Sequence, residues 1–408
     1  MVMAESAAAV PLRVSAQEQD IPKDYRQTEV GLVPTDWTIT SLEQISAFIT
    51  KGSTPTTYGF HWQQSGILFL RSECVSERGL DLSQSMFISS KAHSFLRRSE
   101  VQDDDILVTI TGNVGRAVML SGVGKANLNQ HIARVRITSD GVDPRFAYHY
   151  LSKPEVRAYF TKITTGQAYP QISLKQVRET SLPLPSLREQ TVIADALSDA
   201  DALIEALEQL IEKKRLIKQG AMQELLSGSK RLPGFSGEWQ TKSVGDLLTI
   251  RHGKSQKDVV EPNGQYPILA TGGEIGRSRA YLHDKPSVLI GRKGTIDRPQ
   301  FMDRPFWTVD TLFYSDVKEG NSAKFLYYAF LLIDWRCHNE ASGVPSLNAK
   351  TIEQIELLVP PEEEQATIAS TLTDIEEEIG ALEARLEKAR QIKQGMMQEL
   401  LTGRVRLV

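Results

Sequence analysis

The chain repeats itself: Leu182 to Gly228 aligns without a gap to Leu357 to Gly403 at a constant offset of 175 residues. About half of the aligned positions are identical, including Ile217-Lys218-Gln219-Gly220 with Ile392-Lys393-Gln394-Gly395 and Met222-Gln223-Glu224-Leu225-Leu226 with Met397-Gln398-Glu399-Leu400-Leu401. Two long copies at a long period mean duplication. A solenoid would need three or more short units.

Each copy begins at a proline break, Pro183/Pro185 and Pro360/Pro361, and runs without proline to Gly228 or Gly403, a pattern that predicts one long helix with a glycine stop. Apolar residues recur in alternating steps of four and three: Ile193, Leu197, Ala200, Ile204, Leu207 and Ile211, then Ile368, Leu372, Ile375, Ile379, Leu382 and Leu386. That is the spacing of a coiled-coil seam, and an offset divisible by seven keeps both copies in one heptad register. Helices of about 40 residues span on the order of 60 Å. Their first halves are acidic (Asp195, Asp199, Asp201, Glu205, Glu208; Asp374, Glu376, Glu377, Glu378, Glu383) and their second halves basic (Lys213, Lys214, Arg215, Lys218; Lys388, Arg390, Lys393). This gradient suits the dipole of any helix. Antiparallel pairing also sets acid against base along the seam, whereas parallel pairing sets like against like. The competing arrangement docks each helix on its own globular domain.

The segments before the helices echo one another more faintly. Trp37 matches Trp239, Lys51-Gly52 matches His252-Gly253, Ile106-Leu107-Val108 leading to Gly112 and Arg116 matches Val288-Leu289-Ile290 leading to Gly294 and Arg298, and Phe146-Ala147-Tyr148 matches Phe325-Leu326-Tyr327. Short apolar strands such as Ile67–Leu70, Ile132–Ile137 and Ile268–Ala270, with helices near Arg145–Thr161 and Ala323–Trp335, predict domains of mixed structure. The expected class is therefore α+β: two mixed α/β domains joined by two long helices that form an antiparallel coiled coil, with an internal pseudo-two-fold.

With 408 residues, 40% apolar and 24% charged, the chain has the composition of a soluble multidomain protein. Its first 20 residues lack the basic and apolar pattern of a signal peptide, and no segment approaches a membrane span. Cytoplasmic residence is the expectation. Cys74 and Cys337 stand apart without metal-ligand spacing and are expected to be reduced, partly buried thiols. A net charge of −4 argues against coating nucleic acid by bulk charge and leaves room for local basic faces.

Donor-rich loops carry the candidate chemistry. In the first half these are Lys51, Thr111, Asn113, Arg116, Asn129, Gln130, His131, Gln167, Tyr169 and Gln171; in the second, Arg251, His252, Lys254, Arg292, Lys293, Thr295 and Arg298. Arg reads guanine, and Asn or Gln reads adenine, through paired contacts in the major groove. Each such residue also has an ordinary surface explanation. What singles out the group is its recurrence at matching places in two duplicated domains. His61, His93, His131 and Glu73 show no catalytic spacing, and no metal site is expected.

The order variable domain, long helix, variable domain, long helix resembles the specificity subunit of type I restriction-modification systems. The resemblance is carried by Ile217–Gly228 and Ile392–Leu407, by Pro185-Ser186-Leu187-Arg188-Glu189-Gln190 and Pro360-Pro361-Glu362-Glu363-Glu364-Gln365 ahead of the helices, and by Leu232–Trp239 at the start of the second domain. It covers residues 30 to 408 or so. A flexible tail is expected over 1–29, and the resemblance implies target recognition domains over 30–185 and 232–360 and conserved helical regions over 186–231 and 361–408. It also implies a non-catalytic, sequence-reading subunit. Each domain reads one half of a bipartite, asymmetric site in double-stranded DNA, and the helices set the spacer and dock two modification subunits. Restriction subunits with translocase and endonuclease activity join through the complex. S-adenosylmethionine, ATP and Mg belong to those partners and no cofactor to this chain. In agreement, the sequence has no Asn-Pro-Pro-aromatic motif, no phosphate loop and no Asp…Glu-x-Lys nuclease core. The rival readings are a coiled-coil scaffold that binds proteins and no DNA, and the specificity chain of a modification-only or nuclease-fused relative.

Overall fold

The computed structural model describes residues 21–166 and 169–408. It divides into two compact units, one comprising the chain up to Ala206 with Leu386–Val408, the other Leu207–Arg385.

The first unit is built on an antiparallel sheet of β1 (Thr50–Lys51), β2 (Ile106–Thr109), β3 (Ala117–Met119) and β4 (Ile132–Val135), in the order β3-β2-β4-β1. Burial on both faces explains why β2 is apolar from Ile106 to Val108. Ile106 and Val108 face a cluster with Phe146, Ala147 and Trp37, whereas Leu107 faces the other way, toward Leu70, Leu128 and Ile132. The second face is covered by a small sheet in which Ile67–Leu70 pairs antiparallel with Met86–Ile88 and parallel with Ala126–Leu128. The first face is covered by α1 (Pro144–Leu151) and by α2 (Pro154–Lys162). The single helix expected near Arg145–Thr161 is thus two, because Pro154 starts a new helix and holds Lys153 in extended backbone. The expected tail does not extend to residue 29. Tyr25–Thr28 pairs with Gly31–Pro34, and the Tyr25 hydroxyl donates to the carbonyl of Gly403 at 2.8 Å, so residues 25–29 belong to the folded unit. Residues 1–20 lie outside the described residues. Through its first turns, the helix α3 (Leu187–Leu226) places Ile193 and Leu197 in the same core.

The second unit repeats the plan. Strands β5 (Leu248–His252), β6 (Ser287–Gly291), β7 (Gln300–Met302) and β8 (Leu312–Val317) order as β7-β6-β8-β5. Val288 and Ile290 face Phe325 and Trp335, and Leu289 faces Leu269 and Phe306. Here too a small sheet pairs Tyr266–Ala270 antiparallel with Gly273–Ser278 and parallel with Trp307–Thr308. The helix α4 (Ala323–Leu332) stands where α1 does in the first unit, and α5 (Glu362–Leu400) contributes Ile368 and Leu372 to the core. Cys74 is buried, but Cys337 is exposed, contrary to expectation, on the short 3₁₀ turn Trp335–His338 after α4.

The helices pair antiparallel within each unit. In the first, Met397, Leu400 and Leu401 of α5 meet Ile193 and Leu197, and Lys393 bonds Asp201. In the second, Met222, Leu225 and Leu226 meet Ile368 and Leu372, and Lys214, Arg215 and Lys218 pair with Glu378, Glu383 and Glu376 at 2.7, 2.6 and 2.5 Å. These bonds join the basic half of one helix to the acidic half of the other, as the charge gradient predicts. Leu207, Ile211, Ile379 and Leu386 of the seam are buried, and Ile204, Ile375 and Leu382 are partly so.

The repeated motifs ahead of the helices are structural clamps. Glu189 is buried against Arg406, and Glu364 is buried against Arg231 at 2.6 Å; each arginine stacks on its unit's tryptophan, Trp37 or Trp239. The neighbouring glutamines bridge helix to domain. Gln190 accepts from the amide of Asp143 and donates to the carbonyl of Pro185, while Gln365 accepts from Ser322 and donates to Pro360. Duplicated Glu-Gln pairs therefore follow from duplicated packing.

Candidate nucleic-acid interface

Four chain segments of the first unit converge at one end of its main sheet. Gly52, just past β1, donates its amide to the carbonyl of Asn129 at 3.0 Å, and the loop after β2 is tied in by Ile110 N–H to the carbonyl of His131 at 2.9 Å. Segment 169–172 closes the group: Gly112 donates to the carbonyl of Pro170, and Ile172 donates to that of Ile110, both at 2.9 Å. The second unit repeats the last three of these bonds and ties in the segment after β5 one residue further on. Lys254 donates to Thr308, Arg292 to Thr311, Gly294 to Pro345 and Leu347 to Arg292, at 2.8 to 2.9 Å. Isolated bridges Thr111–Gln171 and Lys293–Ser346 fall at equivalent places.

Glycine makes both scaffolds feasible. A Cβ on Gly52 would sit 1.5 Å from the carbonyl oxygen of Leu128, and one on Gly253 would sit 2.0 Å from that of Val309. No side chain fits at either position.

On this common backbone the projecting residues differ. Gln130, His131, Tyr169 and Gln171 correspond to Asp310, Thr311, Val344 and Ser346, whereas the candidate Thr111, at the place of the exposed Lys293, is itself buried and does not project. In the first unit Thr54 donates to Gln130 at 2.5 Å, Gln130 bonds the His131 ring at 3.0 Å, and Tyr169 sets its edge against that ring with centroids 6.2 Å apart. The polar tips are thereby held in place before any ligand arrives. In the second unit Arg292 donates to the carbonyl of Asp310 at 3.3 Å, Lys293 and Lys254 are exposed, and Trp307 donates to the carbonyl of Lys254 at 3.0 Å. Such a set offers donors, acceptors and flat apolar edges of the kind that read base edges in a groove.

The other sequence candidates divide. Lys51 and Gln171 are exposed beside the first cluster. Asn129 is buried, and its Oδ1 accepts from the amide of His131, so it shapes the loop. Asn113 is exposed on the loop after β2. Arg116 is drawn off to Glu77 at 3.7 Å, which Arg157 also bonds at 2.9 Å. Arg251 lies 3.8 Å from Asp316. His252 packs edge-on to Phe313. Thr295 lends its backbone to the turn against Gly291, and Arg298 is exposed outside the converging segments. Gln167 lies outside the described residues. Thr54, Trp307, Asp310, Thr311 and Ser346 join the clusters without having been singled out. The shared Pro-x-aliphatic of Pro170-Gln171-Ile172 and Pro345-Ser346-Leu347 is the signal that leads to Ser346.

With this geometry in hand, comparison with known proteins fixes the class. The family model described as type I restriction modification DNA specificity domain matches residues 34–214 and 236–391, and the chain belongs to that family. It is a specificity subunit of the type I restriction-modification kind. It is similar to the type I restriction enzyme MjaIX specificity subunit of Methanocaldococcus jannaschii, with 20% identity over 94% of this chain and 97% of the relative. It is also similar to the type I restriction enzyme EcoBI specificity subunit of Escherichia coli, with 25% identity over 60% of this chain and 51% of the relative. Its fold matches the crystal structure of a type I restriction-modification S subunit from M. genitalium, with a TM-score of 0.65 and 16% identity over 89% of this chain and 96% of that one. Among the described residues no helix is long and apolar enough to cross a membrane.

Proposed function

We propose that the two loop clusters read the two halves of a bipartite, asymmetric site in double-stranded DNA, one cluster to each half. The carrying observation is that one backbone scaffold occurs in both units while the side chains it displays differ, Gln130-His131 against Asp310-Thr311 above all. Two similar readers with different tips give a site whose halves differ in sequence. The paired helices set the unread spacer between the halves and carry two modification subunits. Support for a docking role comes from α3, which leaves Leu203, Leu210 and Ile217 exposed at seven-residue intervals, whereas Ile193, Leu197, Leu207 and Ile211 of its seam are buried. On this reading the chain itself performs no chemistry. The modification subunits bring S-adenosylmethionine and methylate adenine, restriction subunits bring ATP, Mg and cleavage, and the complex works in the cytoplasm.

The test is duplex binding by the full chain co-assembled with its modification subunits. Arg292→Ala and Lys293→Ala are each expected to weaken binding by ~1–3 kcal/mol and to relax preference at positions within one half-site alone. A protein-only scaffold predicts assembly without sequence-dependent DNA binding, and indifference to both substitutions.

A further inference from the structure

Resting on the DNA-reading function above, the geometry points to a second DNA contact on the first unit alone: an aromatic wedge, Phe95 braced by Tyr58 and Phe60, that inserts between base pairs at the flank of the first unit's half-site. Phe95 ends the short helix Ser90–Phe95 and is 60% exposed, more than any other large aromatic side chain among the described residues. It is not loose. The ring of Tyr58 lies 5.2 Å and that of Phe60 5.4 Å from it, both tilted by about 55°, so the tip is fixed in water with its ordering cost already met. An immobilised aromatic projecting from a polar surface is the form taken by side chains that partly unstack a base step and kink the duplex.

Three observations select DNA as the occupant. The wedge continues from the reading cluster: Tyr58 closes the 3₁₀ turn Pro55–Tyr58 that starts directly after Thr54, the residue bonded to Gln130. It is also flanked by positive charge, with Lys91 and Arg97 exposed on either side of Phe95 in sequence. Arg98, held by Thr50 at 3.2 Å, stacks on the exposed ring of Phe48. Between Lys91 and Val101 the one acid is Glu100, which faces His93 at 3.6 Å. Cations among exposed rings suit a phosphate backbone with bases beside it. Finally, Phe95, the tip of the wedge, belongs to an addition. The first unit has Arg71–Asp105 between the strands Ile67–Leu70 and β2, where the second has only Thr271–Pro286, which holds the strand Gly273–Ser278 and no helix. The second half-site therefore lacks this contact, and distortion of the duplex is one-sided.

The experiment uses the full chain assembled with its modification subunits and target duplexes carrying 2-aminopurine at successive positions. The wild type is expected to raise the fluorescence at one step on the flank of one half-site. Phe95→Ala should abolish that rise and weaken binding about tenfold, with Phe95→Leu intermediate. A mismatch placed at that step should tighten wild-type binding and leave Phe95→Ala indifferent. Thermal unfolding of the variant should match the wild type, since the ring is exposed. If the wild type binds sequence-specifically and Phe95→Ala matches it in affinity and fluorescence, the wedge is overturned and the reading clusters stand. Loss of the modification subunit from the variant's complex would overturn it too, making the patch a protein interface. If the wild-type complex binds no duplex, both readings fall together.

Discussion

At the scale of single residues, duplication lets one unit serve as the control for the other. His149 on α1 and Tyr328 on α4 occupy the same place against the long helices: His149 bonds Ser198 at 3.1 Å near Asp201, and Tyr328 bonds Thr373 at 3.1 Å and Glu376 at 2.8 Å. Burial, reinforced by Lys393, pushes the His149 imidazole down to about 3, and its Nδ1 has no hydrogen-bond partner. Because the folded value lies below the unfolded one, near 6.5, the unfolded chain takes up the proton first. The contribution of His149 is therefore whole above pH ~6.5 and is lost as pH falls from there toward 3, by up to ~1.4 kcal/mol per pH unit. His149→Tyr, which copies Tyr328, is expected to flatten the acid slope of first-unit stability, as urea unfolding at pH 7.5 and 5 would show; a slope equal to the wild type's would refute the assignment. None of this was legible in the sequence, where His149 is one of seven histidines and its partners lie some fifty residues away.

Elements were far more legible. The four-three spacing and the charge gradient suffice for two long antiparallel helices, because seam and ion pairs are set by local periodicity plus a single choice of direction. Breaks follow proline, and Pro154 divides α1 from α2 within a stretch whose spacing alone suggests one helix. The small second sheets were largely hidden: strands of two or three residues such as Ala126–Leu128 pair with chain some sixty residues away and leave no periodic trace. If the helices set the spacer, removing one heptad from facing stretches of α3 and α5 preserves the seam and shortens each by ~10 Å. The preferred spacer should then shorten by about three base pairs, at ~3.4 Å per pair, with both half-sites unchanged. A binding selection reads this directly, and an unaltered spacer would show that the helices do not measure it.

For the whole molecule, the lesson is which parts of a duplication keep their identity. Residues that join helix to domain, such as Glu189 with Arg406 and Glu364 with Arg231, are the same in both copies because each carboxylate is buried and loses its compensation without its arginine. Residues at the tips of the clusters differ, since the backbone bonds shared by the two scaffolds do not depend on which side chains the tips carry. The second cluster is therefore only partly legible in the sequence. Arg292 and Lys293 follow an alignable strand, whereas Asp310 and Thr311 share backbone geometry with Gln130 and His131 and no identity.

The central claim, one cluster to each half-site, is tested most directly by sequencing methylated adenines in cells that carry the complete system with either the wild-type chain or one bearing Lys293→Ala, Thr311→Ala and Ser346→Ala. The wild type should yield a single motif of two unlike halves around a fixed spacer, and the variant a motif altered in one half while the other half and the spacer persist. A motif changed in both halves, or in neither while methylation continues, would contradict it.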